Sequence, residues 1–163
     1  MTTESMEEYF VQGVQELYDT EQQLVDALET LAEGTEDEEA SRAFSEHREE
    51  TQGHVDRLER VFEAIGEEPE AKEDRVVGEL IDEHEQFAGE NDGEILDRYN
   101  MSVGQKTEHY EIAAYGNVTS LADELGYGEA ADLLEENLRE EEAALEEVTE
   151  LSEQFDQQQV AAE

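Results

Sequence analysis

Apolar residues recur along this chain at steps of three and four, and proline occurs once, at Pro69. That spacing is one face of an α-helix, and with a single proline little in the backbone interrupts it. Phe10, Val14, Leu17, Leu24, Leu28 and Leu31 predict a first helix over about 6–32, ended by Gly34. Phe44, Leu58, Val61, Phe62 and Ile65 predict a second over about 36–65, stopped by Gly66. Ser5 with Glu8, and Thr35 with Glu38, fit the capping box that opens helices.

The stretch 67–74 holds the proline and reads as a linker. A shorter helix over about 75–89 follows on Val76, Val77, Leu80, Ile81 and Phe87, and Asn91-Asp92-Gly93 marks a turn. A third long helix over about 94–125 carries Ile95, Leu96, Val103, Tyr110, Ala114, Val118, Leu121 and Leu125, with a break expected near Asn100–Gly104. Gly126 to Gly128 make the next turn. Leu134, Leu138, Leu145, Val148 and Leu151 place the last helix over about 129–154, leaving 155–163 as a frayed tail. The pattern contains no strand and no internal repeat. Residues 1–163 therefore form one all-α domain, a four-helix bundle whose long connector between the second and third long helices carries a short extra helix. Ferritin-like folds have this topology.

Charge narrows the function. Against 49 acids stand 9 bases, a net charge of -40, which excludes nucleic acid and anionic lipid as partners. No apolar run reaches the ~18 residues of a membrane span. The opening MTTESMEEYF lacks the basic and apolar regions of a signal peptide, so a cytoplasmic location is expected. Absent cysteine removes disulfides and thiolate chemistry. Such charge is also a signature of disorder, but the helical periodicity opposes that reading. Only Lys72 and Lys106 are lysines. A lysine-poor, carboxylate-saturated surface fits a halophilic source, where molar salt shortens the Debye length to about 3 Å and screens self-repulsion.

Most of these carboxylates form a solvated coat; the informative ones interrupt the apolar stripes. Glu21 lies between Leu17 and Leu24, Glu50 between Phe44 and Leu58 with His54 one turn on, Glu111 three before Ala114 with Glu108 a turn earlier, and Glu141 three after Leu138. Buried carboxylates repel one another, and a multivalent cation among them resolves the conflict. Glu21, Glu50, His54, Glu108, Glu111 and Glu141 offer hard oxygen donors with an imidazole nitrogen, a set that suits two Fe or Mn ions sharing carboxylates. Each inward Glu has an alternative in pairing with Arg48, Arg57 or Arg139. His47 reads either as a donor that orients a carboxylate or as an interface histidine, His109 as a structural side chain, and His84 as a surface residue. Tyr18, Tyr110 and Tyr115 are read as core aromatics or as donors to metal ligands.

The strings LYDTEQQLVDAL (17–28), AFSEHREETQGHVDRLERVFE (43–63), EHYEIAAYGNVTSLADELG (108–126) and LLEENLREEEA (133–143) resemble the YciF-type family of the ferritin-like superfamily. The resemblance implies a four-helix bundle that forms a homodimer and takes part in stress responses. The superfamily places a Glu on the first helix and a Glu with a nearby His on later ones, and two Glu three apart on the third helix of rubrerythrin-like members match Glu108 and Glu111. Two departures stand out. His54 follows Glu50 by four rather than three, where Gly53 stands, and the expected His after Glu141 is Ala144. Glu140 is an alternative to Glu141. The expected function is a di-metal carboxylate protein handling iron, O₂ or peroxide, possessing oxidoreductase activity if the site turns over. The competing expectation is a non-enzymatic stress or interaction bundle with an empty site. Absence of a D-x-[DN]-x-[DN]-G loop disfavours a calcium protein.

Overall fold

The computed structural model describes residues 2–163 and consists of five helices, with no strand among the described residues. They are α1 (Met6–Gly34), α2 (Glu38–Ile65), α3 (Arg75–Glu90), α4 (Gly93–Glu124) and α5 (Gly128–Ala162). The four long helices form the bundle and α3 rides on the connector between α2 and α4, as the periodicity requires. Every neighbouring pair is antiparallel: α1 packs on α2 and α4, and α5 on α2 and α4. The connector lets α2 and α4 run in the same direction on opposite corners.

Local signals explain the boundaries. The Ser5 hydroxyl accepts from Glu8 N at 3.1 Å and opens α1. The start of α2 differs from the expected capping box: Asp37 is the cap and accepts from Ala40 N at 2.9 Å. Thr35 instead donates to Leu31 O at 2.7 Å and closes α1. Gly66 ends α2 at φ 77°, the left-handed geometry that costs glycine nothing. At Gly13 a Cβ would lie 2.8 Å from Val118 Cγ1, so its absence lets α1 approach α4 closely.

Three expectations need correction. The helix α4 runs unbroken through Asn100–Gly104, because Asn100 and Gly104 are buried and packed rather than freed for a kink. The α5 helix continues to Ala162 instead of fraying after 154, and Phe155 explains why: it is 7% exposed in an apolar cluster with Phe44 and Met101. His84 is buried rather than on the surface. Its Nε2 lies 2.7 Å from Asn100 Oδ1, and Asn100 Nδ2 donates to Thr35 at 2.9 Å, tying α3, α4 and the α1–α2 turn together. Asp97 completes that knot by accepting from Glu36 N and Asp37 N.

The connector is fastened at its other end by Asp74. Its carboxylate caps α3 through Val76 N and Val77 N and also accepts from the hydroxyls of Thr20 and Tyr110. Asp74→Ala removes a cap and strands two hydroxyl donors, at a cost of about 2 kcal/mol. The melting temperature should fall by roughly 4–8 °C, read by circular dichroism; an unchanged melt would show that the connector is held by its apolar contacts alone.

The core is layered along the bundle axis. One apolar cluster comprises Phe10, Val14, Leu17, Leu58, Val61, Phe62, Val118, Ala122, Ala130, Leu133 and Leu134. A second, at the other end, comprises Leu28, Leu31, Ala40, Phe44, Met101, Val148 and Phe155. Between them lies a layer of buried polar side chains.

Candidate metal centre

That middle layer is built by one to two helical turns from each long helix. The α1 helix brings Glu21, α2 brings His47, Thr51 and His54, α4 brings Glu108, Glu111 and Tyr115, and α5 brings Asn137 and Glu141. Glu21, His54 and Glu141 are fully buried, with Glu111 at 1% and Glu108 at 3% exposure.

Two groups of donors share Glu141. His47, Glu108, Glu111 and Glu141 each offer one atom, all within 4.8 Å of one another; Glu21, His54 and Glu141 do the same. His47 Nε2 lies 2.8 Å from Glu108 Oε1 and 3.4 Å from Glu141 Oε2. His54 Nδ1 lies 2.9 Å from Glu141 Oε1 and 3.2 Å from Glu21 Oε1.

Of the six residues selected from sequence, Glu21, His54, Glu108, Glu111 and Glu141 converge on this layer. Glu50 does not. Its side chain is 38% exposed and its carboxylate is 3.9 Å from His54 Nε2. The reason is helix phase: Phe44, Thr51, His54 and Leu58 define the inward line, and Glu50 stands one residue off it at the rim. Glu140, the alternative to Glu141, joins Glu50 there, with Oε2 2.8 Å from His54 Nε2. His54 thus faces the centre through Nδ1 and the rim through Nε2. His47 is a full participant in the inner layer. Two full turns separate it from His54, so both imidazoles project from one stripe of α2. His109 is exposed and outside the group. Tyr115 touches the layer directly by donating to Glu21 Oε1.

Electrostatics record the crowding. Burial pushes the Glu111 carboxyl well up, with Glu141, Glu21 and Glu108 adding repulsion. Glu21 and Glu108 rise for the same reasons, partly opposed by His54 and His47 respectively. Glu141 goes the other way: burial opposes its charge, but His47 and His54 on either side hold it well below the usual carboxylate range. Burial disfavours the charged His54 ring too, yet its contacts with Glu141 and Glu21 push it up to about 10. Without a cation the layer therefore balances itself with protons.

The balance is incomplete. Glu21 Oε2, Glu108 Oε2, Glu111 Oε1 and both oxygens of Glu141 are buried without a hydrogen-bond partner, as are Nδ1 of His47 and of His54. Buried polar atoms are normally paired, and a bound cation is one partner that would satisfy a set of orphans gathered in this way. His54 Nδ1 and Glu141 Oε1 sit 2.9 Å apart as an ion pair without hydrogen-bond geometry. Carboxylate oxygens with imidazole nitrogens and no sulfur fit Fe or Mn.

The family model described as a domain of unknown function, DUF892, matches residues 5–161. Protein YciF of Escherichia coli (strain K12) is 38% identical over 154 residues, covering 93% of each chain. The crystal structure of the E. coli stress protein YciF matches with a TM-score of 0.90 at 35% identity, over 95% of this chain and 99% of that one. A Rhodopseudomonas palustris protein, YcfI, described as a candidate structural protein, matches at 0.87 and 34%, over 90% of this chain and 94% of that one. A Xanthomonas campestris protein at 22% identity, TM-score 0.76, shares the fold. Matched from Ser5 to Ala161 and aligned with YciF along nearly its whole length, the chain belongs to the DUF892 family.

Proposed function

We propose that this protein is a di-metal carboxylate protein of stress physiology, holding Fe or Mn and acting on O₂, peroxide or the metal ion itself. The observation that carries the reading is the set of buried donors gathered from four helices that lack hydrogen-bond partners in the protein. His47, Glu108, Glu111 and Glu141 would hold one ion and Glu21, His54 and Glu141 the other. Bound Fe or Mn supplies a change of redox state. The chain's part is to flank the site with two apolar clusters, to present carboxylate oxygens from α1, α4 and α5 and imidazole nitrogens from α2, and to give up the protons that His47, His54 and the raised carboxyls hold.

The test has two stages. Protein loaded anaerobically with Fe(II) or Mn(II) should retain stoichiometric metal after desalting, with protons released on binding. Exposure of the Fe(II) form to O₂ or peroxide should then consume the oxidant over repeated cycles. Retained metal without turnover would leave a metal-binding protein that is no enzyme. Absence of retained metal would sink the reading.

A second reading is a bundle with a purely structural role. It is favoured by the neutralisation of Glu141 between two imidazoles, which lets the layer persist without metal, and by the description of the Rhodopseudomonas relative. The same loading experiment separates the two.

A further inference from the structure

The polar groups around the inner layer are distributed unevenly. Tyr115 and Asn137 are both 0% exposed. The Tyr115 hydroxyl donates to Glu21 Oε1 and accepts from Asn137 Nδ2 at 3.1 Å. Asn137 Oδ1 accepts from Arg57 Nη1. Arg57, whose side chain is 16% exposed, also donates from Nη1 to Glu140 Oε2 at 2.8 Å, and Glu140 Oε2 meets His54 Nε2 at 2.8 Å. Two arms thus leave one guanidinium, and both end on the Glu21 and His54 half of the layer. Both halves keep unpartnered atoms, but no such arm reaches the His47, Glu108 and Glu111 half, where His47 Nδ1, Glu108 Oε2 and Glu111 Oε1 lack hydrogen-bond partners.

The direction of the first arm is dictated by chemistry. A guanidinium can only donate, so Asn137 must turn its carbonyl oxygen to Arg57. Its amide nitrogen then faces the Tyr115 oxygen, whose lone pair accepts. The phenol has one proton, and it goes to Glu21 Oε1. Glu21 Oε1 therefore stands between the Tyr115 hydroxyl and His54 Nδ1, 3.2 Å away, while Oε2 is buried without a hydrogen-bond partner. Arg57 at the rim therefore fixes, through Asn137 and Tyr115, where the phenol proton falls on the Glu21 carboxylate of α1.

We infer that Tyr115 is a positioning residue for Glu21, oriented by Arg57 through Asn137, and that it makes the Glu21–His54–Glu141 subsite the more rigid and tighter of the two. The inference rests on the metal reading above. Outer partners that hold a ligand typically affect metal affinity 10–100-fold.

Cobalt(II) is a suitable probe because its visible absorption reports coordination. Wild-type protein, Tyr115→Phe and the isosteric Asn137→Asp, all full-length, are titrated with Co(II). Bound metal is counted and the spectrum followed, alongside melting of the metal-free forms. Asn137→Asp can only accept, so it turns the Tyr115 proton away from Glu21 without emptying space. The expected result is two ions in wild type. In both variants one of them should bind about tenfold or more weakly, with its absorption band altered, and the metal-free fold should be retained. Unchanged titration and spectrum in the variants would overturn the inference while leaving the metal site standing. Failure of wild type to bind Co(II) would overturn both. If Tyr115→Phe does not fold, Asn137→Asp decides.

Discussion

Glu141→Gln should abolish stoichiometric metal binding at both positions, the largest effect of any single substitution in this protein. Glu141 is the one residue common to the two inner donor groups, and both its oxygens are buried without hydrogen-bond partners. An amide offers one weaker oxygen and turns an NH₂ toward His47 or His54. Loss of an outer partner already costs 10–100-fold in affinity, so loss of the shared ligand should cost more than about a hundredfold for each ion. Inductively coupled plasma analysis after loading and desalting would read the result directly. Glu50→Gln provides the contrast, since that carboxylate stands at the rim, and its metal content should stay near wild type. Equal loss in both variants would move the centre outward to the Glu50–His54–Glu140 group.

Removing the metal should lower thermal stability, and by more at higher pH. A ligand at a thousand times its Kd adds about 4.1 kcal/mol to the folded state. For a chain of this size that raises Tm by roughly 8–16 °C. The pH dependence of the metal-free form follows from the raised groups. His54, ordinarily at 6.5, is held up at about 10 in the folded protein, so its contribution is complete below 6.5 and is lost as pH rises toward 10. Glu21, Glu108 and Glu111 add to the same trend, because their raised folded values mean that folding favours the protonated carboxyl and stability falls as those protons leave. Glu141 acts oppositely, but only where pH drops below the ordinary carboxylate range. Scanning calorimetry at pH 6.5 and 9 should therefore show the gap between chelated and loaded protein widening. A constant gap would mean that metal binding does not displace the protons of this layer.

The fold was legible because helical periodicity is long-range and redundant: a misread residue shifts a boundary, never the topology. Boundaries failed where one side chain outweighed the pattern. Phe155 carries α5 past the expected fraying point, and Asp37 takes the cap that the Thr35–Glu38 spacing assigns to Thr35. The site was legible in proportion to how scarce acids were nearby. Between Arg98 and Ala122 the only acidic residues are Glu108 and Glu111, and both are inside. On α2 the stripe between Phe44 and Leu58 holds no large apolar residue, so its phase could be drawn through Glu50 or through Thr51. His47 and His54, seven apart, would have resolved it, since two full turns return to the same face. The hydrogen-bonded path from Arg57 to Glu21 runs over all four long helices and leaves no spacing signature, which is why only the structure reveals it.

The layered core has a kinetic consequence. Along the bundle axis the centre is stoppered at one end by Leu17, Leu58 and Leu134 and at the other by Phe44, Met101 and Val148. Two sideways paths to solvent remain: between α2 and α5, past His54 to Glu140 and Glu50, which are 34% and 38% exposed, and at His47, whose side chain is 12% exposed. Traffic through these side doors needs rotamer changes of a few long side chains, a matter of nanoseconds for exposed groups, whereas an axial route would require parting the helices. An ion held in this layer would then exchange with the surroundings while every helix stays in place.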